Sequence, residues 1–183
     1  MIIRIKTAKH ALSVIRLIII ALGMLAITPL AQAKIVSNKT FGSWSVTCGQ
    51  QNCAMTQLVT ADEAAKQVML GVSVNFAFKS KLGSMMVRLP ANINMKGGLG
   101  IKVDDNSPIQ LPISQCNAKA CQSVVAIDQT LLDEFSEGTV AKFAYARQNQ
   151  QQLILPISLT SFRQAYDYLV LQQAARQTKN SRK

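Results

Sequence analysis

The sequence predicts an all-β chain: a β-sandwich of immunoglobulin-like architecture with a short cross-over helix and a C-terminal helix. Three observations predict it. Short segments alternating apolar and polar residues, the period of a half-buried strand, recur at regular spacing from Trp44 to Leu159. Clusters of Gly, Pro, Asn and Asp separate them, residues that turn a chain by supplying unusual φ or local side-chain bonds. Helical spacing is confined to two stretches, around Leu131 and after Thr160. Eight to nine short strands with little helix read as a sandwich.

The chain opens on a segment that is not part of that fold. Arg4, Lys6, Lys9 and Arg16 form a positive region, and Leu17 to Ile27 is an apolar run of 11 residues, suited to a signal peptide and too short to span a bilayer. Pro29 breaks the run, and Ala31-Gln32-Ala33 is a small-x-small cleavage site. Residues 1–33 are read as a cleaved signal peptide, with an uncleaved membrane anchor as the rival. No cysteine stands at the cleavage point to carry a lipid. The domain is expected over 34–175 and a basic disordered tail over 176–183. Cleavage leaves 150 residues, enough for one core that buries about 70% of its unfolded surface. The leader takes four of the 20 basic residues and none of the nine acidic ones, so the mature chain carries +7. It also takes His10, the only histidine.

Phe41-Gly42-Ser43-Trp44-Ser45-Val46-Thr47-Cys48 opens the domain, with Trp44 and Val46 on one side of a strand. Gly49 to Asn52 turns the chain into a returning strand, Ala54 to Val59. Ala61 to Gln67 is a polar loop or one helical turn. Val68 to Phe78 is a longer strand in which Gly71 marks a bulge. Met85 to Leu89 is short and ends at Pro90, and Asn92 to Gly98 connects onward with a Gly97-Gly98 turn. Leu99, Ile101 and Val103 face inward from the next strand. Asp104 to Pro108 is a dense turn, and Ile109, Leu111 and Ile113 alternate after it. Pro112 lacks an N–H, which predicts an edge strand paired on one side.

Ser123 to Ile127 is a strand. Asp128 caps the short cross-over helix, whose inner face is Leu131, Leu132 and Phe135 and whose C′ residue is Gly138. Thr139 to Arg147 and Leu153 to Leu159 are strands joined by a polar turn. A last helix runs from about Ser161 to Ala175, capped by Thr160 or Ser161, with Phe162, Ala165, Tyr166 and Leu169 spaced i, i+3, i+4, i+7.

Four cysteines remain in the mature chain: Cys48, Cys53, Cys116 and Cys121. An even count in an exported chain reads as disulfides. The repeated spacing of four intervening residues favours Cys48–Cys53 and Cys116–Cys121, each worth roughly 2 kcal/mol as a closed small loop. A crossed pairing would close a loop of about 70 residues, worth roughly 4 kcal/mol, and stays open, as does a four-thiolate zinc site.

The remaining residues exclude much chemistry. Without histidine the mature chain has no Ser-His-Asp triad, Cys-His pair or His metal site. Neither cysteine pair is a Cys-x-x-Cys redox motif. Asp104 and Asp105 are adjacent and point to opposite sides of a strand end, which suits a turn better than an acid/base pair. Gly97, Gly98 and Gly100 precede a strand, where a phosphate loop precedes a helix. Met69, Met85, Met86 and Met95 offer thioethers to copper(I) or simply fill a core. No cofactor and no metal are expected. The charge reads as a solvated surface or as affinity for an anionic partner such as lipopolysaccharide, a cell-surface glycan or an acidic protein patch. No basic helix interleaves with aromatics, which argues against specific nucleic-acid binding. No transmembrane segment follows the leader.

FGSWSVTC with a second cysteine soon after, MVRLP, LGIKVDD, PIQLPISQCNAKAC and LPISLTSF follow one another in order before a terminal helix. In that order and spacing the chain resembles the invasion-associated locus B family of exported bacterial proteins, from Phe41 to about Leu169. The resemblance implies a periplasmic or secreted β-sandwich with no known enzymatic chemistry, and a possible part in host-cell interaction. It supplies no catalytic residues, and its cysteine positions map onto Cys48, Cys53, Cys116 and Cys121. The leading expectation is a non-enzymatic envelope or cell-surface interaction protein. Two alternatives stand beside it: an enzyme or enzyme accessory acting on envelope polymers, and a structural subunit of an envelope complex. Two of Asp62, Glu63, Asp104, Asp105, Asp128, Asp133, Glu134, Glu137 and Asp167 converging in one cleft about 5–10 Å apart, the spacing of glycosidase carboxylates, would raise the enzyme reading.

Overall fold

The computed structural model describes residues 37–49, 52–61, 67–76 and 81–180. The segment expected to be a leader, with His10, the loop carrying Asp62 and Glu63, and residues 181–183 lie outside them. The strands run in chain order: β1 (Ser37–Phe41), β2 (Trp44–Cys48), β3 (Cys53–Thr60), β4 (Val68–Asn75), β5 (Ser84–Leu89), β6 (Leu99–Val103), β7 (Ile109–Leu111), β8 (Gln115–Cys116), β9 (Cys121–Ala126), β10 (Val140–Ala146) and β11 (Gln152–Ser158). Helix α1 (Gln129–Glu137) lies between β9 and β10, and α2 (Phe162–Asn180) closes the chain. A seven-stranded sheet has the order β1-β2-β3-β4-β5-β9-β8, and a four-stranded one β11-β10-β6-β7. Every strand pairing is antiparallel. The chain is therefore an all-β sandwich with a C-terminal helix, as the periodicity predicts.

Alternation sets the inner faces. Trp44 and Val46, Leu70, Val72 and Val74, Met85 and Val87 are buried from the larger sheet. Leu99, Ile101 and Val103, Ala141, Phe143 and Tyr145 are buried from the smaller. Burial pushes the Tyr145 hydroxyl up, so it stays protonated and donates to the Met69 carbonyl at 3.0 Å. Four strands cannot cover seven, and α2 fills the remaining width by packing on β1, β2 and β3. The predicted stripe Phe162, Ala165, Tyr166 and Leu169 is its buried face. Phe162 sits against Trp44, Phe135 and Tyr166 with ring centroids 5.2, 5.4 and 6.1 Å away.

Several expectations need correction. Strand β1 carries no alternation, and its first four residues are exposed, so nothing in its pattern announces it. It forms because all five of its residues pair with β2. Gly71 is no bulge: it pairs in register with Leu58 and Arg88, and the irregularity falls at Val59/Thr60. The long strand is described over Val68–Asn75, and its expected end at Phe78 lies outside the described residues. Gly138 ends α1 at φ −72°, not in the left-handed region. The reason for glycine there is space, as argued below.

The tail expected to be disordered from Arg176 instead continues α2 to Asn180. Tertiary contacts hold it. Gln173, buried, accepts the Cys53 N–H at 3.2 Å. Arg176 reaches back to the Gly49 carbonyl at 3.2 Å and to Gln172 on its own helix. Two side chains of α2 thus grip the first cysteine hairpin, a tie that removes the frayed end a solvated helix would show.

Candidate functional site

The four cysteines pair locally. Cys48 faces Cys53 across β2–β3 and Cys116 faces Cys121 across β8–β9, each as directly opposed residues with Cα atoms 4.0 Å apart. Each bridge staples a hairpin beside its turn. No thiol remains free among the described residues. The second bridge stands at the rim of a groove, and Cys121 Sγ lies 3.8 Å from the Ala91 carbonyl there.

That groove, of about 610 Å³, opens on the outer face of the seven-stranded sheet. Its lining comes from distant segments: Leu58 of β3, Gly71 of β4, Arg88 and Leu89 of β5, Pro90 to Asn92 after it, and Lys119 in the second cysteine loop. Register explains the opening. Leu58, Gly71, Arg88 and Gln122 form one row across four strands, and Gly71 leaves it without a side chain. A Cβ there would lie 3.1 Å from Leu58 Cδ2 and 3.7 Å from Arg88 Cβ, so glycine is what keeps the floor open. Leu58 and Val68 leave apolar surface in water, at 58% and 40% exposure. Among the described residues no carboxylate lines the groove. The described residues form a single ion pair, Arg163–Asp167 on α2, so neither Arg88 nor Lys119 is neutralised by one of them.

A second cavity, of about 380 Å³, gathers carboxylates. Asp104, Asp133, Glu134 and Glu137 line it with Asn106, Thr130 and Gly138. Four of the carboxylates named above therefore share one cavity, while Asp105, Asp128 and Asp167 are not among its lining residues. Asp104 is spoken for. Its two carboxylate oxygens accept the Thr139 and Val140 N–H groups at 2.8 and 3.0 Å, and its own N–H donates to the Val140 carbonyl. Those two backbone bonds hold its carboxyl below the usual range, against a small opposing effect of burial and with help from Lys142. A general acid needs the opposite shift. Asp104, at φ +43°, is a clasp between the β6 turn and the start of β10, a larger role than the turn former its neighbours implied.

The sign of its pH effect follows. A carboxylate depressed in the fold stabilises it above the unfolded value, 3.8, and loses that contribution as pH falls through the folded value. Wild type should exceed Asp104→Asn in stability at neutral pH, with the gap closing below about pH 4. Urea midpoints of both proteins between pH 7 and 2 check this, and a constant gap would contradict it.

The other candidates stay apart. Asp128 caps α1 by accepting the Leu131 N–H at 2.8 Å. Met85 is buried in the core, and Met86, its neighbour on β5, lies toward the outer face. Gly97 ends a single 3₁₀ turn, Met95–Gly97, and Gly98 leads into β6, not into a helix. Among the described residues no group of three or more His, Cys, Asp or Glu is placed to hold a metal. Sequence reasoning missed Gly71, Arg88 and Lys119 as a set, and Gln173 and Arg176 altogether.

A family model for the invasion associated locus B (IalB) protein matches residues 44–170, a span that includes both cysteine hairpins and both cavities. The chain belongs to the invasion associated locus B family. Two similar relatives are invasion protein B homologs of Brucella abortus, strain 2308 and biovar 1 strain 9-941. Each is 25% identical over 134 residues, covering 70% of this chain and 76% of the relative. The crystal structure of invasion associated protein B from Bartonella henselae superposes with a TM-score of 0.64 at 23% identity, over 75% of this chain and 99% of that one. It shares the fold with this invasion associated locus B protein. Gln173 and Arg176, which grip the first hairpin, lie beyond the family match.

Proposed function

We propose that this chain is an exported, non-enzymatic interaction module that engages an anionic ligand of the bacterial envelope or a host-cell surface. In this reading residues 1–33 are removed as a leader, and the mature protein works oxidised in the periplasm or outside the cell. The leader's charge and apolar order, the two cysteine hairpins and the family support export. Among the described residues no helix is long and apolar enough to cross a membrane. The observation that carries the binding reading is Arg88 and Lys119 on one groove with no carboxylate among the described residues that line it. Such a site concentrates anions by an attraction that salt screens.

The test is binding of the purified protein to heparin and to lipopolysaccharide across a salt series. The protein is expressed with its N-terminal segment and sequenced after processing, where Lys34 is the expected first residue. Binding should be strongest at low salt and fall severalfold in the double variant Arg88→Gln, Lys119→Gln. Binding to neither polyanion at low salt, or a double variant that binds as wild type does, would refute the anionic-ligand reading. The acidic cavity is the one observation favouring an enzyme acting on an envelope polymer, and polymer cleavage abolished by Glu134→Gln would establish that reading instead.

A further inference from the structure

We propose that the groove floored by Gly71 binds a single-chain anionic amphiphile. The acyl chain lies over Leu58 and Val68, and the phosphate or carboxylate head meets Arg88 and Lys119. This rests on the anionic-ligand reading and goes further, because it requires the apolar half of the groove as well as the charged half.

Three features of the lining select this class. The volume, about 610 Å³, is of the size that small-molecule sites have. Leu58 and Val68 leave apolar surface in water beside two cations, so only a guest with an apolar part and an anionic part satisfies both. Arg presents a planar fork that matches a carboxylate or phosphate, and Lys adds a mobile point charge. Other guests fit less well. Among the described residues no aromatic ring lines the groove, so none of them offers a sugar ring or a nucleobase a face to stack on. The strands that form the floor, β4 and β5, are paired on both sides, so a peptide finds no free strand edge to extend. Gly71 is the structural requirement, since any side chain there would stand between Leu58 and Arg88.

The experiment is calorimetric titration of the protein with dodecyl phosphate below its micelle concentration, with dodecanol and inorganic phosphate as the two half-ligands. Dodecyl phosphate should bind at least about tenfold more tightly than either half. Arg88→Gln should weaken it by about tenfold to a hundredfold, the range expected for one charge-assisted hydrogen bond. Gly71→Val should weaken it comparably by filling the floor. The added Cβ meets only the flexible end of Leu58 closely, and a β-branched residue suits a strand, so this variant should fold. Lys119→Gln, on an exposed loop, is the second charge variant and carries no folding risk. Inorganic phosphate binding as tightly as dodecyl phosphate would reduce the site to an anion patch; it would overturn this inference and leave the polyanion result above intact. Dodecanol binding equally well, or Gly71→Val binding unchanged, would overturn it too.

Discussion

Phe162→Ala lowers the melting temperature of the protein by about 10 °C or more, with a loss of roughly 3–5 kcal/mol. Phe162 is fully buried where three parts of the fold meet: Trp44 from the first hairpin, Phe135 from α1, and Tyr166 one turn along α2. Alanine leaves a cavity that those rings do not readily close, because two of the three are held elsewhere. The Trp44 indole donates to the Ser158 carbonyl at 3.0 Å, and the Tyr166 hydroxyl to the Leu82 carbonyl at 2.8 Å. The loss is a large share of the 5–15 kcal/mol that stabilises a typical domain. Phe162→Leu keeps most of the volume and should cost under about 1.5 kcal/mol. Thermal melts of the three proteins make the comparison, and equal melting points would show that α2 is not docked through this residue.

Gly138→Ala costs about 2–3 kcal/mol, a large effect for one methyl group. The backbone there, at φ −72° and ψ 165°, suits any residue, so conformational strain is not the cause. Crowding is. An added Cβ would lie 2.5 Å from Val103 Cγ1, 2.7 Å from the Glu134 carbonyl oxygen and 3.0 Å from Leu159 Cδ1. The carbonyl belongs to the helix backbone and accepts the Gly138 N–H at 2.9 Å, so it cannot move aside without loosening the end of α1. Asparagine separates the two explanations. At a left-handed C′ position it would be nearly as good as glycine; against this steric wall Gly138→Asn should cost at least as much as alanine. Denaturant midpoints of both variants decide the matter, and a neutral asparagine would rule out crowding.

How much of this was legible beforehand depended on the range of the interactions. Two-residue alternation placed nine of the strands and most of their inward residues, because burial of one face imposes that period wherever a strand lies. Helical spacing gave the faces of α1 and α2 for the same reason, and Asp128 was readable as a cap because its bond spans three residues. Strand β1 was not legible: four of its five residues are exposed, and its order comes from pairing with β2. The groove was illegible as a site. Gly71 reads alone as a weak point in a strand, and Arg88 as one scattered charge. Only the register of β3, β4 and β5 sets them in one row with Leu58. Asp104 was readable as a turn residue but not as a clasp, because its partners lie 35 and 36 residues on.

The sequence by itself therefore determined the fold class, the family, and the inner faces of the strands and helices. These depend on residue type and local period, which folding cannot alter. The tertiary structure decided what leans on contacts between distant segments. It extended α2 to Asn180 through the grip of Gln173 and Arg176 on the first hairpin, and it made Gly138 a matter of space. It also brought two cations and two exposed aliphatic side chains around one glycine. A side chain's chemistry is written in the sequence, but its neighbours across a sheet are fixed by strand register and packing.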